Sequence, residues 1–224
     1  MVACERRQLS YVELPLIQIV PVPVDQLHKQ LVMDLDQFDV LIFISTNAVA
    51  FGMALIDQYW PQLPRLNWFA VGAATAEELG NWGQLAVAPE VPGSEGLLAL
   101  PSLQNLDQQK VMIVKGEGGR TLLTETLIER GATVTELPVY QREPVPYSIG
   151  QLSKIFTPGT LGYVIITSGE SAEQFDELCP STLREQLVLI VPSARVAEIA
   201  RGRGYTQVID AGSPEAEDMV ACIE

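Results

Sequence analysis

Five polar turns follow the short apolar runs of this 224-residue chain, where buried strands would end and helices would begin. Small hydroxyl residues and glycine at such turns let an anion approach the free amides and positive dipole of a helix N-terminus. In open α/β sheets, ligands bind beyond the carboxyl ends of the strands. The turns are residues 45–47, 72–75, 115–120, 167–169 and 192–195. They predict a ligand with several carboxylates, held between two domains.

A purely structural role stays open for each of these turns. Serine, threonine and asparagine at helix starts are ordinarily N-caps, and residues 115–120 could form a plain strand-to-helix turn. That segment lacks the Gly-Lys-Ser/Thr ending of a phosphate-binding P-loop. Its glycines, Gly116, Gly118 and Gly119, do not make the dinucleotide-binding GxGxxG pattern. The sequence therefore does not indicate a nucleotide site.

The single histidine and the cysteines indicate neither metal nor covalent chemistry. His28 has no neighbouring Cys or His in the sequence, so we expect a surface position on a helix. The cysteines are Cys4, Cys179 and Cys222. Their wide spacing and odd number are typical of free thiols in a reducing cytosol. No combination of nucleophile, base and acid is visible, and we predict no metal site.

Tyr140 lies in one of two similar segments of the chain. Residues 13–23 read ELPLIQIVPVP and residues 136–146 read ELPVYQREPVP, an offset of 123 positions (136 − 13 = 123). Self-similarity of this kind indicates a duplicated unit. Tyr140 is then the counterpart of Ile17, a phenol where the other copy has an aliphatic side chain. An amphipathic tyrosine at an interface is the alternative interpretation.

The elements that would position these residues alternate between strands and helices. Short continuous apolar runs favour strands buried on both faces of a parallel sheet. The runs are residues 40–44, 68–71, 111–114, 163–166 and 188–191. Capping-box spacing or a serine–proline pair marks three helix starts. These are Thr75 with Glu78, Ser171 with Gln174, and Ser213 with Pro214. We predict an α/β fold of two doubly wound parallel-sheet domains from an internal duplication, with the proline-rich repeats as extended connectors.

Length and charge limit the class of protein. With 224 residues, 47% of them hydrophobic, the chain suits two domains of about 100–120 residues. A formal charge of −14 opposes nonspecific binding to nucleic acid, so a polyanionic ligand would need a locally basic or amide-rich cleft. Polar residues interrupt the longest uncharged run, and the first residues hold no apolar segment of signal-peptide length. We therefore expect neither a membrane span nor an export signal.

Several segments of the chain together resemble one family. They are FISTNAV at 43–49, AVGAATAEEL at 70–79, SEGLLAL at 94–100, VKGEGGRTLLTETLIERGATVTELPVYQRE at 114–143, IITSGES at 165–171 and VPSARVAEIARGRG at 191–204. In this order and spacing they are similar to uroporphyrinogen-III synthase, and the resemblance covers nearly the whole chain.

The resemblance implies a cofactor-free lyase of haem biosynthesis, which cyclises the linear tetrapyrrole hydroxymethylbilane to uroporphyrinogen III with loss of water and inversion of ring D. Departure of the hydroxyl leaves an azafulvene cation, whose attack at a substituted ring carbon gives a spiro intermediate that fragments and recloses. An enzyme for this reaction mainly holds its substrate in one geometry. The family further implies a cytoplasmic monomer in transient contact with hydroxymethylbilane synthase.

The same resemblance assigns roles to single residues. Tyr140 matches the family tyrosine proposed to donate a proton to, or hydrogen-bond, the departing hydroxyl. Four hydroxyl residues match cleft positions that would bind acetate and propionate groups, and further polar or basic residues would supplement them. The hydroxyl residues are Ser45, Thr75, Ser168 and Ser193, and the others are Asn47, Lys115, Arg120 and Arg195.

Domain boundaries also follow from the resemblance. Residues 11–21 and 134–144 would form a two-stranded ladder that joins an inserted domain, 22–133, to a terminal domain made of 1–10 plus 145–224. Family members open with a strand and a turn usually containing Thr-Arg-Pro, and this sequence shows neither. We therefore expect the parent chain to extend upstream by roughly 12–16 residues, enough for a strand and a turn.

Two other classes of protein stay open at this stage. One is a noncatalytic two-domain binding protein for a small polyanion, which would use the same turns without needing Tyr140. The other is an inactive remnant of a synthase that lacks its first strand. Isomer analysis of the product discriminates the first from an enzyme, and ligand-induced thermal stabilisation discriminates the second.

Overall fold

A computed structural model describes residues 2–119, 121–148, 151, 154–156 and 162–223 of the chain. The polypeptide divides into two units. Ile19–Arg142 is called the inner unit here, and Met1–Gln18 together with Glu143–Glu224 is called the terminal unit. Buried apolar clusters lie on both faces of the inner sheet, and another fills the terminal unit.

The inner unit is built on a mainly parallel sheet. Its strands are β1 (Ile17–Pro21), β2 (Val40–Phe43), β3 (Asn67–Ala70), β4 (Lys110–Gly116) and β5 (Thr133–Pro144), in the order β1-β5-β4-β2-β3. The pairs β2–β3, β2–β4 and β4–β5 are parallel. Every residue of β2 is buried, because a central parallel strand is covered on both faces.

Helices cover the two faces of the inner sheet. They are α2 (Gln26–Met33), α3 (Thr46–Ile56), α4 (Ala73–Asn81), α5 (Ser94–Leu98) and α6 (Leu122–Glu129), with 3₁₀ turns at Leu35–Gln37 and Pro101–Leu103. Their ends follow local signals. Ser45 caps α3, because its side chain accepts the Ala48 N–H. After α6, Gly131 takes φ +92°, a conformation that glycine adopts without strain and that ends the helix.

The terminal unit repeats the same plan on a smaller sheet. Its helices are α1 (Val2–Arg6), α7 (Gly169–Leu178), α8 (Ala194–Gly202) and α9 (Ala216–Ala221), and its strands are β6 (Gly162–Ile165), β7 (Leu187–Val191) and β8 (Gln207–Asp210). A 3₁₀ turn spans Ser181–Gln186. The strands pair in the order β6-β7-β8, all parallel, and β7 is fully buried between its neighbours.

The five predicted strand runs are confirmed to within one or two residues, but all three predicted helix starts are wrong. The N-cap of α4 is Gly72, three residues before the predicted cap at Thr75, and the Gly72 carbonyl accepts the Thr75 and Ala76 amides. Thr75 is instead buried inside the helix. α7 has Ser168 as its N-cap, three residues before the predicted cap at Ser171. α9 begins at Ala216 after the N-cap Glu215, so the Ser213–Pro214 signal lies two residues early.

The proline-rich connectors are part of a larger sheet. β1 and β5 are hydrogen-bonded neighbours, and β5 also pairs with β4 from Thr133 to Tyr140. Within the segments predicted to form a ladder, 11–21 and 134–144, the strands Ile17–Pro21 and Thr133–Pro144 belong to the inner sheet, and residues 11–16 carry no strand. Among the described residues, no helix has the length and apolar character needed to cross a bilayer.

Candidate active site

The phenol of Tyr140 is buried in the inner unit, at the end of the sheet where the parallel strands terminate. Tyr140 lies on β5 and is 7% exposed. Its Oη is 3.1 Å from Ser45 Oγ, and its ring packs against Phe51 of α3 with 6.1 Å between the ring centroids. Ser45 Oγ also accepts the Ala48 N–H at 3.0 Å. One serine thus caps a helix and contacts the phenol.

A β-bulge in β5 aims Tyr140 at this position. Lys115 pairs with Pro138, but the next residue, Gly116, pairs with Tyr140, so Val139 is the extra residue. Bulges of this kind redirect a side chain, and proline favours them because it has no N–H for the ladder. The backbone carbonyls of the bulge are hydrogen-bonded: Val22 N–H donates to Val139 O at 3.1 Å, and Glu117 N–H donates to Tyr140 O at 2.8 Å. Tyr140 therefore projects from a fixed backbone.

His28 braces the same bulge, and the sequence did not predict this. His28 Nε2 donates to the Pro138 carbonyl at 3.0 Å, and Nδ1 lies 2.6 Å from Asp25 Oδ1. His28 lies on a helix, α2, as expected, but its side chain is only 14% exposed and is not a free surface group. The backbone N–H of His28, and then its ring, lower the pKa of Asp25. The available signal was Asp25 itself, an N-cap residue three positions before the histidine.

Lys115 is buried and already has a counter-charge. Its ammonium lies 3.0 Å from Glu136 Oε2, and Thr124 Oγ1 donates to the other carboxylate oxygen. Burial acts to raise the pKa of Glu136, but the hydrogen bonds from Thr124 and Lys115 outweigh it, and the pKa is lowered overall. The network joins β4, β5 and α6. In this structure Lys115 therefore serves Glu136 and does not present a free cation.

The other inner-unit candidates lie at the starts of two helices. Asn47 is half-buried in the first turn of α3, two residues after Ser45. Thr75 is in the first turn of α4, but its side chain is buried. Both helices follow parallel strands that end at the same edge of the sheet, so their N-termini share that edge. Arg120 lies outside the described residues.

The terminal unit brings three of its candidates to one edge of its own sheet. Ser168 caps α7, with its Oγ accepting the Ser171 N–H at 3.0 Å. Arg195 is exposed in the first turn of α8. Its guanidinium lies over Gly169, the residue after Ser168, and a β-carbon added to Gly169 would be 3.5 Å from Nη1. Ser193 is the N-cap of α8, and its side chain makes no capping hydrogen bond. Ser168 and Arg195 thus flank one helix N-terminus.

No metal-binding arrangement occurs within the part of the chain that the structure describes. There, three or more His, Cys, Asp or Glu side chains never gather as metal ligands would. The candidate site residues at the sheet edges instead include serine hydroxyls, helix-start amides and Arg195. These groups suit hydrogen bonding to carboxylates.

Both α/β units carry hydroxyl groups and helix N-termini at the carboxyl edges of their parallel strands, the edge at which open α/β sheets bind ligands. A sequence model of the family described as uroporphyrinogen-III synthase HemD matches residues 2–221. The chain belongs to this family, which acts in porphyrin biosynthesis. The resemblance found in the sequence and the predicted fold class are both confirmed.

Known relatives and one solved structure agree in covering most of the chain. The uroporphyrinogen-III synthase of Escherichia coli K12 is 34% identical over 220 residues, covering 94% of this chain and 88% of that protein. That of Salmonella typhimurium LT2 is 31% identical over 199 residues, covering 85% and 80%. The structure of uroporphyrinogen-III synthetase from Helicobacter pylori 26695 has a TM-score of 0.64 at 17% identity, covering 93% of this chain and 89% of that one.

Proposed function

We propose that this chain cyclises hydroxymethylbilane to uroporphyrinogen III, with loss of water and inversion of ring D, as a hydro-lyase that needs no cofactor. The observation that supports this most directly is the buried phenol of Tyr140, 3.1 Å from Ser45 at the carboxyl edge of the inner sheet. A phenol both donates and accepts hydrogen bonds, and a positioned proton donor assists departure of a hydroxyl.

In this proposal Ser45 orients the phenol and Tyr140 donates the proton. Ser45 Oγ accepts the Ala48 N–H, so its own proton can be donated to Tyr140 Oη, which leaves the phenol proton for the substrate. Transfer of that proton breaks the substrate C–O bond, releases water and leaves the azafulvene cation with a phenolate. Ring closure ends with loss of a proton from a pyrrole carbon, and that proton restores the phenol.

Substrate carboxylates would bind at the helix starts of each unit. In the inner unit we assign Asn47 and the first backbone amides of α3 and α4 to this role. The Thr75 side chain is buried, so we do not assign its hydroxyl. In the terminal unit we assign Ser168, Ser193 and Arg195, because the guanidinium lies beside the N-terminus of α7. An arginine fork matches a carboxylate better than a single ammonium does.

We propose different roles for the two remaining basic candidates, Lys115 and Arg120. A substrate carboxylate would have to replace Glu136 to reach Lys115, so we assign Lys115 to holding β4, β5 and α6 together around the site. Arg120 stays a proposed carboxylate contact, carried over from the family resemblance. For a protein of charge −14, each added cation near the substrate matters, since the overall field repels a polyanion.

We also propose that the protein works as a cytoplasmic monomer. It would receive hydroxymethylbilane through transient contact with hydroxymethylbilane synthase. The thiols support a reducing compartment, because Cys4, Cys179 and Cys222 are free and two of them are buried. The instability of hydroxymethylbilane, which cyclises by itself, favours direct delivery.

Isomer analysis of the product tests the proposed function. Hydroxymethylbilane is incubated with the purified protein, and the porphyrinogens are oxidised and separated by chromatography. Without enzyme the substrate closes to the symmetrical type I isomer. We expect the type III isomer with the protein present. A product that is type I alone, together with thermal stabilisation by hydroxymethylbilane, would instead indicate a noncatalytic binding protein.

A further inference from the structure

Gly116, the last residue of β4, leaves the space that the ring of Tyr140 occupies. A β-carbon built on Gly116 would lie 2.6 Å from both Cε2 and Cζ of Tyr140 and 3.0 Å from its Oη. Non-bonded carbons separate by about 3.5–4.0 Å at their optimum, so any side chain at position 116 would overlap the phenol.

The backbone of Gly116 does not itself require glycine. Its φ lies outside the positive range in which glycine is favoured, and the residue is the last of strand β4. The neighbouring Gly118 and Gly119 differ, with φ of +70° and +93° and no described atom within 4 Å of an added β-carbon. Glycine is therefore required at these three positions for two different reasons. At position 116 the cause is the ring of Tyr140.

The ring has little freedom to avoid an added β-carbon while keeping its contacts. Tyr140 is 7% exposed, and Phe51 packs against its ring. The Tyr140 carbonyl is fixed by the Glu117 N–H, in the bulge directly beside Gly116. Relieving the overlap would shift the ring by roughly 1 Å, which would carry its hydroxyl away from Ser45.

We infer that Gly116 is a positioning residue for Tyr140: its missing side chain fixes the phenol hydroxyl where it meets Ser45 and the departing group of the substrate. The catalytic part of this inference rests on the function proposed above. Displacement of a reacting group by about 1 Å can reduce a rate by roughly 10²-fold, so a single added methyl should be visible in kcat.

Steady-state kinetics of type III formation test the catalytic part. Gly116→Ala should lower kcat by roughly 10²-fold and leave KM within about twofold, because it displaces the donor and not the carboxylate contacts. The double variant Gly116→Ala/Tyr140→Phe should have the same kcat as Tyr140→Phe alone, because the hydroxyl that Gly116→Ala would displace is already absent. Gly80→Ala is the matched control, because Gly80 lies on α4 with no described atom within 4 Å of an added β-carbon. Its kcat should equal that of the wild type.

Thermal unfolding tests the contact without any turnover. Gly116→Ala should lower Tm by roughly 4 °C or more in the wild-type background. In a Tyr140→Ala background, where the ring is absent, the same substitution should not lower Tm. Should Gly116→Ala fail to fold, the double variant should still fold as well as Tyr140→Ala alone.

Different results would contradict the positioning role of Gly116 and the proposed function. A wild-type rate in Gly116→Ala, or an equal loss of Tm in both backgrounds, would overturn the inference and leave the proposed function intact. A wild-type protein that yields only the type I isomer would overturn the proposed function and the catalytic role of Gly116 together. The comparison of Tm values would then decide only whether Gly116 makes room for the ring.

Discussion

Tyr140 Oη and Ser45 Oγ lie 3.1 Å apart, although 95 positions separate the two residues in the chain. One residue is on β5 and the other follows β2, with β4 between these strands in the sheet. The contact exists because the bulge at Val139 turns Tyr140 toward the start of α3, where Ser45 is fixed as the N-cap. The catalytic and folding roles of Ser45 can be separated, because glycine also caps helices.

Ser45→Gly should lower kcat without a comparable loss of stability. Glycine at an N-cap costs only a few tenths of a kcal/mol relative to serine, whereas Ser45→Ala should cost about 1 kcal/mol in the free energy of unfolding. Both substitutions remove the hydroxyl that orients the phenol, so both should lower kcat by a similar factor, roughly tenfold. Urea denaturation and type III kinetics measure the two effects. A wild-type kcat in Ser45→Gly would show that the contact does not assist the reaction.

Glu136→Gln should destabilise the inner unit and change its response to acid. The substitution leaves the Lys115 ammonium, 8% exposed, without its counter-charge. Since the Glu136 side chain is 35% exposed and partly screened, we expect a loss of about 1–2 kcal/mol at pH 7, less than for a fully buried pair. Urea denaturation measures it. Glu77→Gln, at an exposed position on α4, should have no such effect.

The sign of the pH effect follows from the direction of the Glu136 shift. Its pKa in the folded protein is lowered from 4.5, so its contribution to stability is present above pH 4.5 and is lost as the pH falls through the folded pKa. The difference in unfolding free energy between wild type and Glu136→Gln should therefore shrink below about pH 4.5. A difference that stays constant from pH 7 to pH 4 would contradict the assignment of this ion pair.

His28→Ala should loosen the bulge that presents Tyr140. It removes the hydrogen bond to the Pro138 carbonyl, worth about 1 kcal/mol in unfolding free energy. The kcat should fall less than in Tyr140→Phe, because the phenol stays present on a less constrained backbone. Lys29→Ala, the exposed neighbour, is the control and should change neither quantity. If His28→Ala matched the control in both measurements, the histidine would have no role in supporting the site.

Arg195→Ala should raise KM for hydroxymethylbilane by roughly tenfold and leave kcat nearly unchanged, because a charge-assisted contact to a carboxylate is worth about 1.5–3 kcal/mol. It should also weaken the dependence of KM on salt. Arg201→Ala, at the far end of α8, removes the same charge and should leave KM unchanged. Equal KM values for the two variants would exclude Arg195 from the substrate site.

The strands could be predicted from the sequence, but much of the site could not. The runs that became β2 and β7 are continuous and apolar because both faces are buried, and this pattern is visible without the fold. The bulge depends on the register between β4 and β5, which sequence spacing does not encode. The contact of Gly116 with Tyr140 and the pairing of Lys115 with Glu136 therefore could not be predicted from the sequence. The capping-box pattern at Thr75 was misleading because glycine served as the cap.

The most direct test is the rate of type III formation by Tyr140→Phe, with Tyr59→Phe, a half-buried tyrosine of the same unit, as the control. We predict that the wild type and Tyr59→Phe make the type III isomer at equal rates and that Tyr140→Phe loses roughly 10²-fold in kcat, the usual scale for a positioned acid. KM should change little, since one hydroxyl is worth about 1 kcal/mol among many carboxylate contacts. Type III formation by Tyr140→Phe at near the wild-type rate would contradict proton donation by this residue.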